Sequence, residues 1–279
     1  MIPKNIFSTQ TLCGQIPTLM VNKQERKYKW VDTLAITMVA VYLIQLYRDW
    51  INFPGVQEAL DFIEQRVYQH EIEGFMFWHF NGFYPPDWED TSFAIFLLVR
   101  NNRLDINKLG PIRDLLSSNT TEQGSGVWIK DCYSASNAQQ NHWDPTSAIN
   151  ILRLHYLLDS DKKGKKATER FVTKHFSLEQ FGRSTLYYTA PVAAFFAKMI
   201  VRDFPDDTQS IAAPALSFYQ EVVSAIKNGI LVATSFESAL LGFPALEKDN
   251  GLLFHHGKRD GIWYGSPILH ELAMGLEVL

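Results

Sequence analysis

Three carboxylates lie close together in the chain at Asp87, Glu89 and Asp90, beside the indole of Trp88. Burial and neighbouring negative charge both raise the pKa of a carboxyl group, so a buried cluster of this kind can supply a protonated acid near neutral pH. Asp and Glu also favour the first turn of a helix for structural reasons, because they accept hydrogen bonds from free backbone N–H groups. The cluster therefore has two interpretations, a catalytic acid or a helix cap.

The segment around the cluster must hold it in place. Pro85 and Pro86 end the preceding element, and Asp87 suits the N-cap of a new helix. Residues 93–99 carry no charge and are apolar on all sides, which is typical of a buried helix. The sequence therefore predicts a buried helix over residues 87–100, whose acidic end faces a concave part of the fold.

Helix starts of the same kind recur along the chain. Apolar helices are predicted to begin near residues 31, 88, 144, 187, 234 and 266, with amphipathic helices between most of them. No segment shows a convincing strand pattern. Alternating apolar and amphipathic helices indicate a repeat architecture. We therefore predict an all-α fold over residues 30–279, an α/α toroid with six inner and about five to six outer helices in a single closed barrel, preceded by an irregular N-terminal arm over residues 1–29.

The composition excludes several classes of function. A formal net charge of −4 over 279 residues gives no overall basic character, so we expect no nucleic-acid partner. Two cysteines, Cys13 and Cys132, provide no disulfide framework and suit a reducing compartment. No apolar run is long enough to span a bilayer, and the N-terminus lacks the layout of a signal peptide. We expect a cytoplasmic protein without a transmembrane segment.

Aromatic side chains are concentrated at the predicted helix starts and make up 13% of the chain. Their π faces can line an apolar cavity and stabilise a cation inside it, although each ring is equally suited to simple packing. The predicted substrate-binding residues, which include three polar residues near helix starts, are Trp78, Phe83, Tyr84, Trp88, Trp143, Asp144, Tyr187, Tyr188, Glu237, Trp263, Tyr264 and His270.

Over about residues 30–279 the chain resembles the prenyltransferase and squalene-cyclase toroids. Repeats of that superfamily combine a Gly-x-Trp loop with a helix that opens with Asp-x-Thr-Ala. Gly126-Val127-Trp128 and Gly261-Ile262-Trp263 are similar to the loop. Asp32-Thr33-Leu34-Ala35 and Asp90-Thr91-Ser92-Phe93-Ala94 are similar to the helix start. The resemblance implies the toroid fold that the helix pattern also predicts.

One motif resembles a catalytic motif of that superfamily. Class II terpene cyclases carry Asp-x-Asp-Asp-Thr, whose middle Asp protonates an alkene or an epoxide. Asp87-Trp88-Glu89-Asp90-Thr91 has the same frame, with Glu89 in the middle place. The resemblance implies that Glu89 is the acid, that Asp87 and Asp90 tune it, and that the substrate is an isoprenoid or another long apolar molecule. It implies no required cofactor, with Mg²⁺ used only for a diphosphate substrate.

The chain also departs from the class II pattern. Its middle residue is Glu instead of Asp, and it has one barrel where those cyclases usually place the site between two. A single barrel is closer to the protein prenyltransferase β subunit, which holds zinc through Asp, Cys and His. Asp131, Cys132 and His142 resemble that set. We interpret Cys132 as an ordinary residue and predict no metal site.

Two other classes of function stay open. Carbohydrate hydrolases and lyases also use α/α barrels, and Asp90 with either Asp144 or Glu237 could then act as acid and base. A third interpretation is a non-catalytic lipid-binding subunit, in which Glu89 only caps a helix. A homo-oligomer and a partner subunit that completes the site both stay open, because the fold alone does not determine function.

Overall fold

The computed structural model describes residues 7, 10–22, 27–47, 50, 53–69, 76–78, 86–129, 143–243, 253–257 and 262–274. In chain order, the described strands and helices, together with a 3₁₀ helix at Ile106–Lys108, are β1 (Thr18–Asn22), β2 (Lys27–Val31), α1 (Ala35–Ile44), α2 (Val56–Gln65), β3 (Tyr68–Gln69), β4 (Met76–Phe77), α3 (Trp88–Arg100), α4 (Gly110–Asn119), β5 (Thr120–Thr121), β6 (Gly124–Ser125), α5 (Pro145–Leu157), α6 (Lys162–Lys174), α7 (Leu178–Ser184), α8 (Ala190–Asp203), α9 (Ala212–Lys227), α10 (Ser235–Leu240), β7 (Leu253–Gly257), β8 (Ile262–Gly265) and α11 (Pro267–Met274).

The chain divides into two compact units. The first comprises residues 1–65, 186–195 and 222–279, and the second comprises residues 66–185 and 196–221. In the first unit α1 packs against α2 and α11, and α10 packs against α11. In the second unit α5 packs against α3 and α6. Helices α8 and α9 each contribute residues to both units.

The first unit contains an antiparallel sheet that the helix pattern did not predict. Its strand order is β2-β1-β8-β7, and the pairing of β1 with β8 places Val21 opposite Trp263. The prediction of a fold without strands is therefore wrong. The segment Trp30–Val31, which we expected to open a buried helix, belongs to β2, and the predicted boundary at residue 30 falls inside that strand. Helix α1 begins only at Ala35, after the chain has left the sheet.

The helices that position the acid cluster are confirmed. Helix α3 spans Trp88–Arg100 with Asp87 as its N-cap. Ten of its residues are buried, namely all those from Trp88 to Leu98 except Glu89. Helix α5 begins at Pro145 with Asp144 as its N-cap, because proline fits the first helical turn, where its missing N–H costs nothing. The protein is thus largely helical with a small sheet, and the closed barrel of inner and outer helices stays a prediction.

The second unit has an aromatic core around α3. The rings of Phe93 and Phe196 meet edge to face with centroids 6.0 Å apart, and those of Phe96 and Phe204 lie 6.0 Å apart. Such pairs add to the free energy gained by burying the rings. Among the helices that the structure describes, none is long and apolar enough to cross a membrane.

Candidate functional site

The starts of α3 and α5 lie next to each other in the second unit, and Glu89 is the residue that joins them. The Ser147 hydroxyl donates to Glu89 Oε2 at 2.5 Å, and Asn150 Nδ2 donates to Glu89 Oε1 at 3.1 Å. Glu89 is half-buried, whereas Ser147 and Asn150 are buried. Hydrogen bonds from neutral donors favour the ionised form of a carboxyl group. Glu89 is therefore arranged as a hydrogen-bond acceptor that retains some access to solvent.

Asp87 and Asp90 form a buried pair of carboxyl groups. In the chain they flank Trp88 and Glu89. Asp87 is in an extended conformation and accepts a hydrogen bond from the Asp90 N–H at 2.7 Å, which is N-cap geometry. Burial raises the pKa of both side chains, and for Asp87 the negative charges of Asp90 and Glu89 raise it further. The pKa of Asp90 rises to about 7, although a side-chain hydrogen bond with Asp87 lowers it in part. The pair therefore holds a proton at a pH where ordinary aspartates are ionised.

Backbone contacts fix the start of α3 against two neighbouring segments. The Trp88 N–H donates to Val127 O at 2.7 Å, and this carbonyl belongs to the Gly-x-Trp loop at 126–128. On the other side, the Thr91 hydroxyl accepts from Trp78 N at 3.0 Å and donates to Trp78 O at 3.3 Å. These bonds explain why Thr91 follows the acids, since its hydroxyl ties the aromatic segment to the first turn of the helix.

Tryptophan rings flank the acid cluster. Trp78 and Trp88 are almost fully buried, and the Trp88 ring meets Phe77 edge to face with centroids 6.2 Å apart. Within the described part of the chain, four buried side-chain atoms at the two helix starts have no hydrogen-bond partner, namely Trp88 Nε1, Ser92 Oγ, Trp143 Nε1 and Thr146 Oγ1. Buried polar atoms are normally paired, so these four are exceptions at the two helix starts.

Asp144 is the buried N-cap of α5, and both of its oxygens accept hydrogen bonds. Its Oδ1 accepts from the N–H groups of Thr146 at 2.8 Å and Ser147 at 3.2 Å, and its Oδ2 accepts from the Thr185 hydroxyl at 3.2 Å. The side chain is 1% exposed. The residue predicted as a substrate-binding group, or as the second carboxylate of a sugar-cleaving pair, is therefore used to start α5.

Glu237 lies in the first unit and is used in the same way. It forms a capping box with Thr234, in which Thr234 N–H donates to Glu237 Oε2 at 2.7 Å and Glu237 N–H donates to the Thr234 hydroxyl at 3.2 Å. The Thr189 hydroxyl donates to Glu237 Oε1. Both oxygens of this buried carboxylate are thus occupied by hydrogen bonds that start α10 and join it to residue 189.

The other predicted binding residues are distributed between the two units. Trp143 is half-buried in the second unit; in the first unit, Tyr188 is buried and Tyr187, Trp263 and Tyr264 are half-buried. Trp263 and Tyr264 lie in β8, not at a helix start as predicted, because their segment pairs with β1. His270 lies in α11. The residues Phe83, Tyr84, Asp131, Cys132 and His142 lie outside the described residues. Among those described, no group of three metal-binding side chains is found.

Sequence reasoning missed three residues of α5 at the site, namely Ser147, which bonds Glu89, and the pair Asn150 and Arg153. Asn150 bonds Glu89, and Arg153 Nη1 donates to Asn150 Oδ1 at 2.6 Å. Both side chains are buried in a helix whose other central residues are mostly apolar. An amide and a guanidinium three residues apart in such a helix are a detectable signal, because buried Arg and Asn require partners.

Comparisons with known proteins establish a fold resemblance and no family. No protein-family model matches the chain, and no curated protein matches it. Among solved structures, the crystal structure of a protein from Actinoplanes is similar with a TM-score of 0.56 at 13% sequence identity. The similarity covers 85% of this chain and 70% of that chain. At this identity the likeness concerns the fold alone.

Proposed function

We propose that this chain is a terpene-cyclase-like enzyme that protonates an isoprenoid or another long apolar substrate. The observation that carries the proposal is the buried Asp87–Asp90 pair, which retains a proton near neutral pH next to the half-buried Glu89. Protonation of a carbon–carbon double bond requires a carboxylic acid that is still protonated at the working pH. The resemblance of residues 87–91 to the class II cyclase motif supports the same chemistry.

The roles within the cluster differ from those that the motif implies. The motif assigns the proton to Glu89, but Glu89 accepts hydrogen bonds from Ser147 and Asn150, which favour its ionised form. Asp90, whose pKa is raised to about 7 by burial, is better suited to donate the proton. In this scheme the Asp90 proton forms the new C–H bond and leaves a carbocation. Glu89 removes a proton when the cation collapses, so that the product is an isomer of the substrate.

Aromatic side chains beside the cluster suit a cationic intermediate. Trp78, Trp88 and Phe77 are buried next to the start of α3, and a ring face attracts a cation through its quadrupole. Proton-initiated chemistry needs no metal ion, and Mg²⁺ would enter only with a diphosphate substrate. The proposal includes a cytoplasmic location, and it is compatible with either a homo-oligomer or a partner subunit.

The test is turnover measured by mass spectrometry. Geranyl, farnesyl and geranylgeranyl diphosphates and squalene are offered, with and without Mg²⁺, to the wild type, Asp90→Asn and Glu89→Gln. Asp105→Asn, an exposed cap of the 3₁₀ helix, is the matched control. We expect an isomeric product that the control retains and that Asp90→Asn reduces by about 10²-fold or more. Full turnover by Asp90→Asn contradicts the assignment, and binding without any product contradicts an enzymatic function and favours a lipid-binding subunit.

One observation favours a second candidate, a carbohydrate-active enzyme. Glycoside hydrolysis needs one protonated carboxyl group and one ionised carboxylate. Asp90 and Glu89 provide carboxyl groups whose surroundings favour these two states. Neither Asp144 nor Glu237 fits the second role, because both are almost fully buried and start helices α5 and α10, whereas Glu89 is half-buried. Release of reducing sugar from oligosaccharides, lost in both Asp90→Asn and Glu89→Gln, would favour this candidate over the first.

A further inference from the structure

A continuous polar network leads from Glu89 into the core of the second unit. Asn150 Nδ2 donates to Glu89 Oε1 at 3.1 Å, and Arg153 Nη1 donates to Asn150 Oδ1 at 2.6 Å. Arg153 Nε lies 3.6 Å from Asp203 Oδ2, and Arg100 Nη1 donates to Asp203 Oδ1 at 3.2 Å. The network therefore connects the candidate site at the start of α3 with Arg100 at its end.

Three aromatic rings hold the Arg153 guanidinium in place. Its Cζ lies 5.5 Å from the ring centroid of Phe93, 5.7 Å from that of Phe96 and 5.2 Å from that of Phe196. The residue is fully buried. A planar guanidinium stacked on aromatic faces and hydrogen-bonded at its edge has little rotational freedom. Arg153 is thus a rigid donor that points at one atom of Asn150.

The chemistry of the two neighbours fixes the orientation of the Asn150 amide. A guanidinium can only donate hydrogen bonds, so the oxygen of the amide must face Arg153. The amide nitrogen is then turned toward Glu89, which as a carboxylate can only accept. We propose that Asn150 and Arg153 are positioning residues for Glu89, with Arg153 orienting the Asn150 amide so that it holds the Glu89 carboxylate as an ionised acceptor.

The charges near Glu89 come from its own helix and from α5. At the start of α3 the negative charges of Asp87 and Glu89 repel each other, and this repulsion contributes to the raised pKa of Asp87. On α5 the neutral donors Ser147 and Asn150 favour the ionised form of Glu89. Arg153 is the described cation linked to Glu89 through Asn150. The catalytic meaning of this network rests on the proposed function, but the geometry can be tested without any substrate.

The test measures the titration of Glu89 by NMR on protein labelled with ¹³C at glutamate carboxyl carbons, with Glu89→Gln to assign the signal. The variants are Asn150→Leu, Arg153→Lys and the double variant, with Ser147→Ala as a comparison that removes the donor to the other Glu89 oxygen. We expect Asn150→Leu to raise the titration midpoint of Glu89 by about 1 pH unit, because a charge-assisted hydrogen bond is lost. Arg153→Lys keeps the positive charge but loses the planar fork, and we expect a rise in the same direction.

The double variant distinguishes two ways in which Arg153 could affect Glu89: by orienting the Asn150 amide, or directly through its positive charge. If Arg153 acts through Asn150, the double variant has the same midpoint as Asn150→Leu, because the two effects share one path. Additive effects, or no effect of Arg153→Lys, overturn the proposal. Because Arg153 is buried and its replacement can prevent folding, a wild-type measurement serves as the second test. The Asn150 side-chain N–H resonances must shift with the Glu89 titration, and their failure to do so also overturns the proposal.

Activity measurements then test whether the network matters for the proposed function. They do not decide whether Asn150 and Arg153 position Glu89. If an isomeric product is formed, Asn150→Leu should lower kcat about tenfold and leave KM unchanged, because Asn150 contacts Glu89 and not the substrate. An unchanged kcat with a shifted titration refutes the catalytic role of Glu89 and leaves its positioning by Asn150 and Arg153 supported. Absence of any product refutes the proposed function, and the NMR result still decides the positioning.

Discussion

Replacement of Asp90 with Asn should stabilise the protein at alkaline pH. Asp90 is buried beside Asp87, and burial raises its pKa from 3.8 to about 7. The folded state binds this proton more tightly than the unfolded state does. Proton binding therefore makes its full contribution to the free energy of unfolding below pH 3.8. That contribution is lost as the pH rises to about 7. Asparagine is neutral throughout, so Asp90→Asn avoids the loss.

The size of the effect follows from the pKa difference between the folded and unfolded states. Each pKa unit corresponds to about 1.4 kcal/mol, so the cost of ionising Asp90 in the folded protein is on the order of 4 kcal/mol above pH 7. The variant changes the hydrogen bond to Asp87, which offsets about 1 kcal/mol of the gain. We therefore expect Asp90→Asn to be more stable than the wild type by about 3 kcal/mol at pH 8, with little advantage at pH 4.

Urea unfolding at several pH values between 4 and 8 measures this difference. The matched comparison is Asp161→Asn at the exposed N-cap of α6, where hydrogen bonds from the N–H groups of Gly164 and Lys163 lower the pKa of the aspartate. Asp161 stabilises the folded protein above its unfolded pKa and loses that contribution as the pH falls through its folded pKa. The two variants must therefore show opposite pH dependence. A stability difference for Asp90→Asn that does not change with pH would refute the reasoning.

Three further predictions concern polar groups outside the acid cluster. Burial lowers the pKa of His155 from 6.5 to about 4. The neutral imidazole therefore contributes about 3 kcal/mol to the free energy of unfolding above pH 6.5, and this contribution is lost as the pH falls through 4. His155→Gln should unfold in urea with a smaller acid loss, and an unchanged acid loss would contradict this assignment. Thr234→Ala should cost about 1 kcal/mol of unfolding free energy, because it removes the cap of α10. Glu237→Gln should lower stability and retain any turnover found for the wild type, and a tenfold loss of turnover without unfolding would show that Glu237 does more than cap a helix.

The helices around the candidate site were predictable because their signals are local. An Asp N-cap followed by an uncharged apolar run identifies the starts of both α3 and α5 within a few residues. Helix α7, at Leu178–Ser184, was missed because it is only seven residues long and carries a weak apolar pattern between two better-defined helices. Short helices depend on tertiary packing more than on their own sequence.

The sheet was not predictable from local patterns, since its strands are far apart in the chain. β1 pairs with β8 through residues such as Leu19 and Gly265, and neither strand has a clear alternation of apolar and polar residues. The sequence pattern predicts helix starts at Trp30 and Trp263, because an aromatic residue before an apolar run fits either a strand or a helix start. The pairing partner, which decides between the two, comes from the other end of the sequence.

The candidate site shows why a sequence cannot separate a catalytic carboxylate from a capping one. Asp144, Glu237 and Glu89 are all acids at or next to a helix start. They differ in which groups donate hydrogen bonds to the carboxylate oxygens. Backbone N–H groups and threonine hydroxyls occupy both oxygens of Asp144 and Glu237.

Glu89 differs because its partners come from another helix. Ser147 and Asn150 bind it across the α3–α5 contact, so its conformation depends on how the two helices pack and not on the local cap. The bonds from Ser147 and Asn150 are separate from the N-cap bond between Asp90 N–H and Asp87, so replacement of Glu89 leaves that cap in place. Glu89→Gln should therefore leave the free energy of unfolding within about 1 kcal/mol of the wild type, whereas Asp144→Asn should cost more, because it weakens the bonds to two N–H groups and a hydroxyl.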